Sequence, residues 1–236
     1  MKEQTREEPK IVAAAERKMQ AWARSQEIAD RTRRVDPGLP CTGRLGQFIA
    51  VSREAGAGGG EIAELVGQKL GGEVLDKSLL DQMADRFRLS RPMLELVDEN
   101  TADWAYDVLG AWLDRKIIPH GKYVAHLTRI VEAAAKRGKV VLVGRGAQFL
   151  VPRDQGLAVR IIASPKYRLE QIVRRHGFDA AAARKFMVHL DRQRRDFVQQ
   201  FFRRDINDPH LYDLVVNVER LGPAAAADLI VDASCR

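Results

Sequence analysis

The stretch VSREAGAGGGEIA, Val51 to Ala63, sets four glycines, one arginine and two glutamates around a turn between an apolar run and a helical pattern. Glycines at the start of a helix can present backbone N–H groups to an anion, and the helix N-terminus adds partial positive charge. The chemistry such a turn serves best is phosphate binding. The usual phosphate-binding loop, GxxxxGK[ST], adds a lysine that neutralises the phosphates and a hydroxyl that holds magnesium. Here the first glycine position is Arg53, the lysine position is Gly59, and the hydroxyl position falls on Gly60 or Glu61. The cation must then come from elsewhere. Arg53, at the mouth of the turn, could supply it, with a guanidinium fork that grips phosphate at two points. The competing reading pairs Arg53 with Glu54 or Glu61, and taken alone the glycines also suit a plain tight turn.

Two other groups of cations could serve the same chemistry. Arg145 stands in the turn GRG directly after the apolar run KVVLV. It therefore emerges at a strand end, either to meet an anion or to pair with local carboxylates. The segment HLDRQRRDFVQQFFRRD holds six basic residues, counting His189, in 17 positions. Such a run either covers phosphates or forms the solvated face of a helix. Asp191 precedes Arg194 and Arg195 by three and four residues, the spacing at which helical side chains pair. Asp76 closes an apolar segment, where it could touch a ligand or cap the helix that follows. Asp208 before Pro209 suits a turn. The five histidines form no cluster, so no protein metal site is expected. Ser52 or Glu54 could hold Mg²⁺ through water.

Positioning these groups requires strands whose carboxyl ends converge, and the chain is patterned for that. QFIAVS, GGEVLD, KVVLVGRG, LAVRIIAS and YDLVVNV read as strands. Helical patterns at Glu61–Leu70, Lys77 to about Phe87, Ser90–Arg115, Tyr123–Arg137, a stretch opened by Ser164-Pro165, Ala180–Arg203 and a closing GPAAAADLIVDA alternate with them. Trp104, Tyr106 and Trp112 belong to the core or to a helical subdomain. Alternation of this kind predicts a mostly parallel, three-layer α/β sheet with ligands beyond the carboxyl ends of its strands. Residues 1–42 form an N-terminal appendage: Ile11, Ala15, Met19, Trp22 and Ile28 fall near helical spacing, and DPGLPCTG breaks the pattern. That helix is expected to pack on the main domain, residues 43–236, or to join two copies as a homodimer.

A net charge of +7 suits anionic partners, and much of the excess lies in Arg160–Arg204. Cys41 and Cys235 show no metal-like or disulfide spacing, as fits a reducing cytosol. The opening MKEQTREEPK lacks an apolar core, and no run approaches the ~18 to 20 apolar residues of a membrane span. The expectation is a cytoplasmic protein without a membrane partner. Nucleic acid is not expected either, since no recognisable motif or interleaved aromatic pattern accompanies the charge.

Several motifs carry a family resemblance. VSREAGAGGGEIA closely resembles the opening motif of the cytidylate kinase-like family, in which Ser-Arg-Glu precedes a glycine turn and a helix. VLDKSLLDQMA, VVLVGRGAQFLV and DRQRRDFVQQFF…NDPHLYDLVVNVERL are similar to its later segments, in the same order, so the likeness runs from about Phe48 to Val231. The absent lysine is a departure from true cytidylate kinases that the look-alike family shares. The resemblance implies a P-loop NTPase-like fold with a helical acceptor-side insertion and an arginine-rich lid. It also implies an ATP-dependent phosphotransferase acting on a nucleoside monophosphate such as CMP, with Mg²⁺ carried by water and phosphates. A nucleotide-binding regulatory module without turnover is the alternative. Ser52, Gly56, Ala57, Gly58, Gly59, Gly60 and Glu61 would hold the nucleotide. Arg53, Arg145, Arg194 and Arg195 would act on the transferred group, and Asp76, Arg145 and Asp191 would meet the acceptor.

Overall fold

The computed structural model describes residues 48–80 and 118–235, together with Arg17. The appendage helix and the pattern at Ser90–Arg115 lie outside the described residues. The chain divides into two compact units, residues 1–40 with 77–136 and residues 41–76 with 137–236. Of the first, the described part is a helical turn at 77–80 and nearly all of a helix, here α2 (Ile118–Arg137). Leu127, Ile130 and Val131 are fully buried on α2.

The second unit contains the sheet. Its elements are β1 (Phe48–Arg53), α1 (Gly59–Leu70), β2 (Glu73–Leu75), β3 (Val140–Val143), β4 (Gly156–Ile162), α3 (Pro165–His176), α4 (Ala180–Phe202), β5 (Leu214–Asn217) and α5 (Val218–Ser234). The strand order is β2-β3-β1-β4-β5, and every pairing is parallel. The chain leaves β1 for the β2–β3 side and later crosses to the β4–β5 side. The reversal falls at β1, so the crevice beyond its carboxyl end is the topological switch point of the sheet.

Sequence dictates this arrangement. A central parallel strand is covered on both faces and needs no alternation, and all four residues of β3 are buried. On one face Ile49, Val51, Val141, Val159 and Ile161 pack with Ile62, Ala63 and Val66 of α1 and with Ala226, Ala227 and Ile230 of α5. Each valine or isoleucine side chain removed from water contributes roughly 1.5–3 kcal/mol, an alanine methyl about 0.8. Ser164 caps α3 by accepting from the Tyr167 N–H at 3.3 Å, with Pro165 at the first helical position. Asp179 caps α4 in the same way through Ala182. The arginine-bearing run expected as a lid is one continuous 23-residue helix, α4. The closing helix starts earlier than GPAAAADLIVDA and contains non-helical Gly222 before Pro223.

Candidate active site

β1 delivers the chain to the glycine turn, which runs through left-handed Gly56 and Gly58 into α1. Gly58 is the N-cap residue, and no side chain caps the helix. The first helical bond is Ile62 N–H to Gly58 O at 3.0 Å, so the amides of Gly59, Gly60 and Glu61 open outward from the helix end. The glycines serve different purposes. A Cβ on Gly56 would collide with the Arg168 carbonyl, and one on Gly59 would lie 2.5 Å from Arg53 Cβ. A Cβ on Gly60 meets nothing within 4 Å, and its backbone is not left-handed. Neither packing nor conformation demands a glycine there, and the space beside the amides is open.

Arg53 crosses beneath this turn. Its Cβ and Cγ lie against Gly59, and its Nη1 reaches Gly144 at the end of β3. Among the described residues its guanidinium has no hydrogen bond and no ion pair with either Glu54 or Glu61. Burial pushes its pKa down to about 9; the positive charges of Arg194, Arg145 and Arg160 add to the effect, and Asp76 opposes it. A cluster of arginines around a partly desolvated guanidinium is held against its own repulsion, and an anion would relieve it. Arg194 reaches in from α4 and donates from Nη1 to the Arg53 carbonyl at 3.0 Å. Its own pKa is lowered, chiefly by burial.

Beneath the loop the carboxylates are committed. Asp191 Oδ1 accepts from the Ala55 N–H at 2.8 Å, and its Oδ2 accepts from Arg168 Nη1 at 2.9 Å. Glu54 Oε2 accepts from the Ala163 N–H at 3.1 Å and lies 3.3 Å from the same Arg168 nitrogen. Arg168 thus ties α3, α4 and the loop together. Ser52, buried at 5% exposure, takes a 2.8 Å bond from Arg160 Nη1 and lies 3.3 Å from the Tyr212 hydroxyl. Glu61 faces Arg175 across 3.4 Å at the surface.

The loop opens on a cleft of about 700 Å³. It is lined by Arg53, the glycines and Arg194, by the apolar side chains of Ile172, Phe186, Leu190 and Pro223, and by the polar Gln171, Arg174, Arg175 and His176. Arg145 follows β3 in a turn that is left-handed at Gly144, Arg145 and Gly146. Asp76 is exposed, directly after β2. Arg195 is exposed and outside the cleft lining. Of the two arginines spaced to pair with Asp191, the i,i+3 partner Arg194 comes within 3.9 Å. Ala57 is fully buried under the turn.

Sequence reasoning missed Arg168, Arg160, Arg174 and Arg175. Arg160 had a signal, a lone charge inside the apolar strand LAVRIIA. Its register partner is Ser52, and its guanidinium also bonds Asn207 at 3.0 Å and lies 5.8 Å from the Tyr212 ring centroid. Nothing local marks Arg168, whose partners lie 23 and 114 positions away. No group of three or more His, Cys, Asp or Glu among the described residues could hold a metal ion. No helix among them is long and apolar enough to cross a membrane.

A parallel sheet whose first strand ends in a glycine loop without a side-chain cap, faced by arginines from its neighbours, makes a layered α/β fold. The chain belongs to the cytidylate kinase-like family, whose model matches residues 48–220. It is 26% identical over 185 residues to a cytidylate kinase of Archaeoglobus fulgidus, covering 78% of this chain and 93% of that protein. Over 90 residues it is 31% identical to a cytidylate kinase of Pyrococcus horikoshii, a match that covers 38% of this chain and only about half, 46%, of the relative's length. A crystal structure of an uncharacterized protein from Eubacterium ventriosum superposes with a TM-score of 0.61 at 20% identity, over 79% of this chain and 97% of that one, a likeness of fold.

Proposed function

We propose that this chain is an ATP-dependent phosphotransferase acting on a nucleoside monophosphate such as CMP, with Arg53 in the role of the missing loop lysine. The observation that carries the reading is the Arg53 guanidinium, which spans from the loop to the end of β3 without a hydrogen-bonded protein partner among the described residues. The outward amides of Gly59, Gly60 and Glu61 and the open space at Gly60 fit a polyphosphate, and Ile172, Phe186 and Leu190 in the cleft lining offer a base apolar contact. ATP, when bound, supplies the γ-phosphoryl group that passes to an acceptor phosphate oxygen, with ADP leaving. The residues of the chain contribute position and charge, which phosphoryl transfer chiefly requires. In this reading Arg53 and Arg194 steady the transferred group, and Arg145 holds the acceptor phosphate with Asp76 nearby. Magnesium would be carried by phosphates and water, because Ser52 and Glu54 are already engaged by Arg160 and Arg168. A cytoplasmic setting, where both nucleotides are held, suits the reading.

One observation favours a second reading, a nucleotide-binding module without turnover: the lysine position of the loop is Gly59, and the hydroxyl position, Gly60 or Glu61, carries no hydroxyl. The deciding experiment assays phosphate transfer from ATP·Mg²⁺ to a panel of nucleoside monophosphates, in a preparation shown by calorimetry to bind ATP. Transfer to CMP supports the kinase. Binding without transfer to any acceptor supports the silent module.

A further inference from the structure

Arg145 holds a conformation that L side chains resist, with φ of 53° between Gly144 at 85° and Gly146 at 65°. Something must fix its side chain if the guanidinium is to serve as a contact. Its Cζ lies 4.8 Å over the ring of Phe197 on α4. The Phe202 ring fills the place where a Cβ of Gly146 would stand. Phe202 packs against Phe149 with centroids 4.9 Å apart and lies 6.2 Å from Phe197. The turn therefore rests on an aromatic shelf at the end of α4.

Phe197 is partly buried and packs on Phe201 with ring centroids 4.7 Å apart, and it also faces Arg145. Its position on the helix places it there. Three residues earlier Arg194 bonds the Arg53 carbonyl, and three earlier again Asp191 bonds the Ala55 amide. At successive steps of three, one rigid helix touches the glycine loop, the end of β1 and the GRG turn.

We infer that Phe197 is a positioning residue: its ring face fixes the Arg145 guanidinium, and α4 holds that guanidinium at a set distance from the glycine loop. The inference rests on the proposed role of Arg145 as the acceptor-side anion contact. Leucine at this half-exposed site keeps apolar bulk without a π face; tyrosine keeps the face.

The test is solution NMR on the full chain with ¹⁵N-labelled arginine, following the Arg145 Nε–Hε signal, assigned by its loss in Arg145→Lys. Ring current shifts that signal upfield in wild type and in Phe197→Tyr, and the shift disappears in Phe197→Leu. Inorganic phosphate is then titrated as the probe. Its midpoint at Arg145 is expected to rise roughly two- to thirtyfold in Phe197→Leu, the span of a cation–π contact, and to stay near wild type in Phe197→Tyr. A signal and midpoint that Phe197→Leu leaves unchanged overturn the positioning role. Phosphate that never perturbs Arg145 in wild type, in a protein that still binds ATP, overturns the acceptor role of Arg145 and this inference with it, and leaves the donor site standing.

Discussion

The side chain of Arg53 occupies the space that a side chain at Gly59 would need. A Cβ on Gly59 would stand 2.5 Å from Arg53 Cβ and 2.8 Å from its Cγ. Gly59 is the position at which the usual phosphate loop carries lysine, so the two residues are alternatives: the arginine fits because the lysine is absent. The charge enters from the end of β1 and arrives beside Gly144, between the two strands whose ends face the crevice.

Restoring the lysine alone should therefore harm the protein. Gly59→Lys is expected to lose about 1–3 kcal/mol of stability by overpacking against Arg53, read from urea unfolding, and to bind ATP no better than wild type. The double variant Arg53→Gly with Gly59→Lys recreates the usual spacing and should recover much of both. The coupling between the two changes is the quantity to measure, and additive effects would count against the shared space.

Gly60 separates ligand binding from folding. With no atom within 4 Å of its Cβ direction and no left-handed backbone, Gly60→Ala should raise stability by roughly 0.5–1 kcal/mol, as alanine generally does in a helix. Nucleotide affinity should stay near wild type, because the usual loop seats a Ser or Thr side chain at this position beside the phosphates. Gly56→Ala should behave oppositely and unfold at lower denaturant, being left-handed and pressed on the Arg168 carbonyl.

The Arg168 bridge should matter to the fold more than any single surface pair. Arg168→Met leaves Glu54 and Asp191 facing each other without their cation. Breaking a buried ion pair on one side costs about 3–5 kcal/mol, and the partial exposure of both carboxylates places the expected loss at or below the lower end. Asp191→Asn keeps an acceptor for the Ala55 N–H and should cost less than Asp191→Ala. Chemical denaturation of the three variants gives the order.

The pH dependence of binding follows from Arg53. Its folded-state pKa, about 9, lies well below the usual guanidinium range, so the cation is present at pH 7 and is lost as pH rises through about 9. For folding the sign is the reverse of a stabilising pair: the crowded cation opposes the fold at low pH, and stability rises as pH climbs above about 9. For binding, ATP affinity should stay level from pH 7 to about 8 and then decline, with proton uptake on binding near pH 9. Both features should vanish in Arg53→Met. Calorimetry in buffers of different ionisation enthalpy reads the uptake directly.

The fold was largely legible because its signals are local. Continuous apolar runs mark strands covered on both faces, as in KVVLV, and Ser164-Pro165 marks a helix start by cap chemistry alone. The glycine turn was legible as well. What the sequence left open was which charges are already spent. Asp191 is three residues from Arg194, yet its shortest bonds go to Ala55, 136 positions away, and to Arg168. Ser52, a candidate magnesium carrier by its place beside the loop, is taken by Arg160, 108 positions on. Such commitments depend on sheet register and helix docking, which no local spacing encodes.

The central claim is that Arg53 is the cation of the phosphate loop, and calorimetric titration of ATP·Mg²⁺ into wild type and Arg53→Ala tests it most directly. The expected loss is ~1.5 to 3 kcal/mol, the usual worth of a charge-assisted hydrogen bond, with the fold intact by thermal unfolding. An Arg53→Ala protein that folds and binds ATP as tightly as wild type would contradict it.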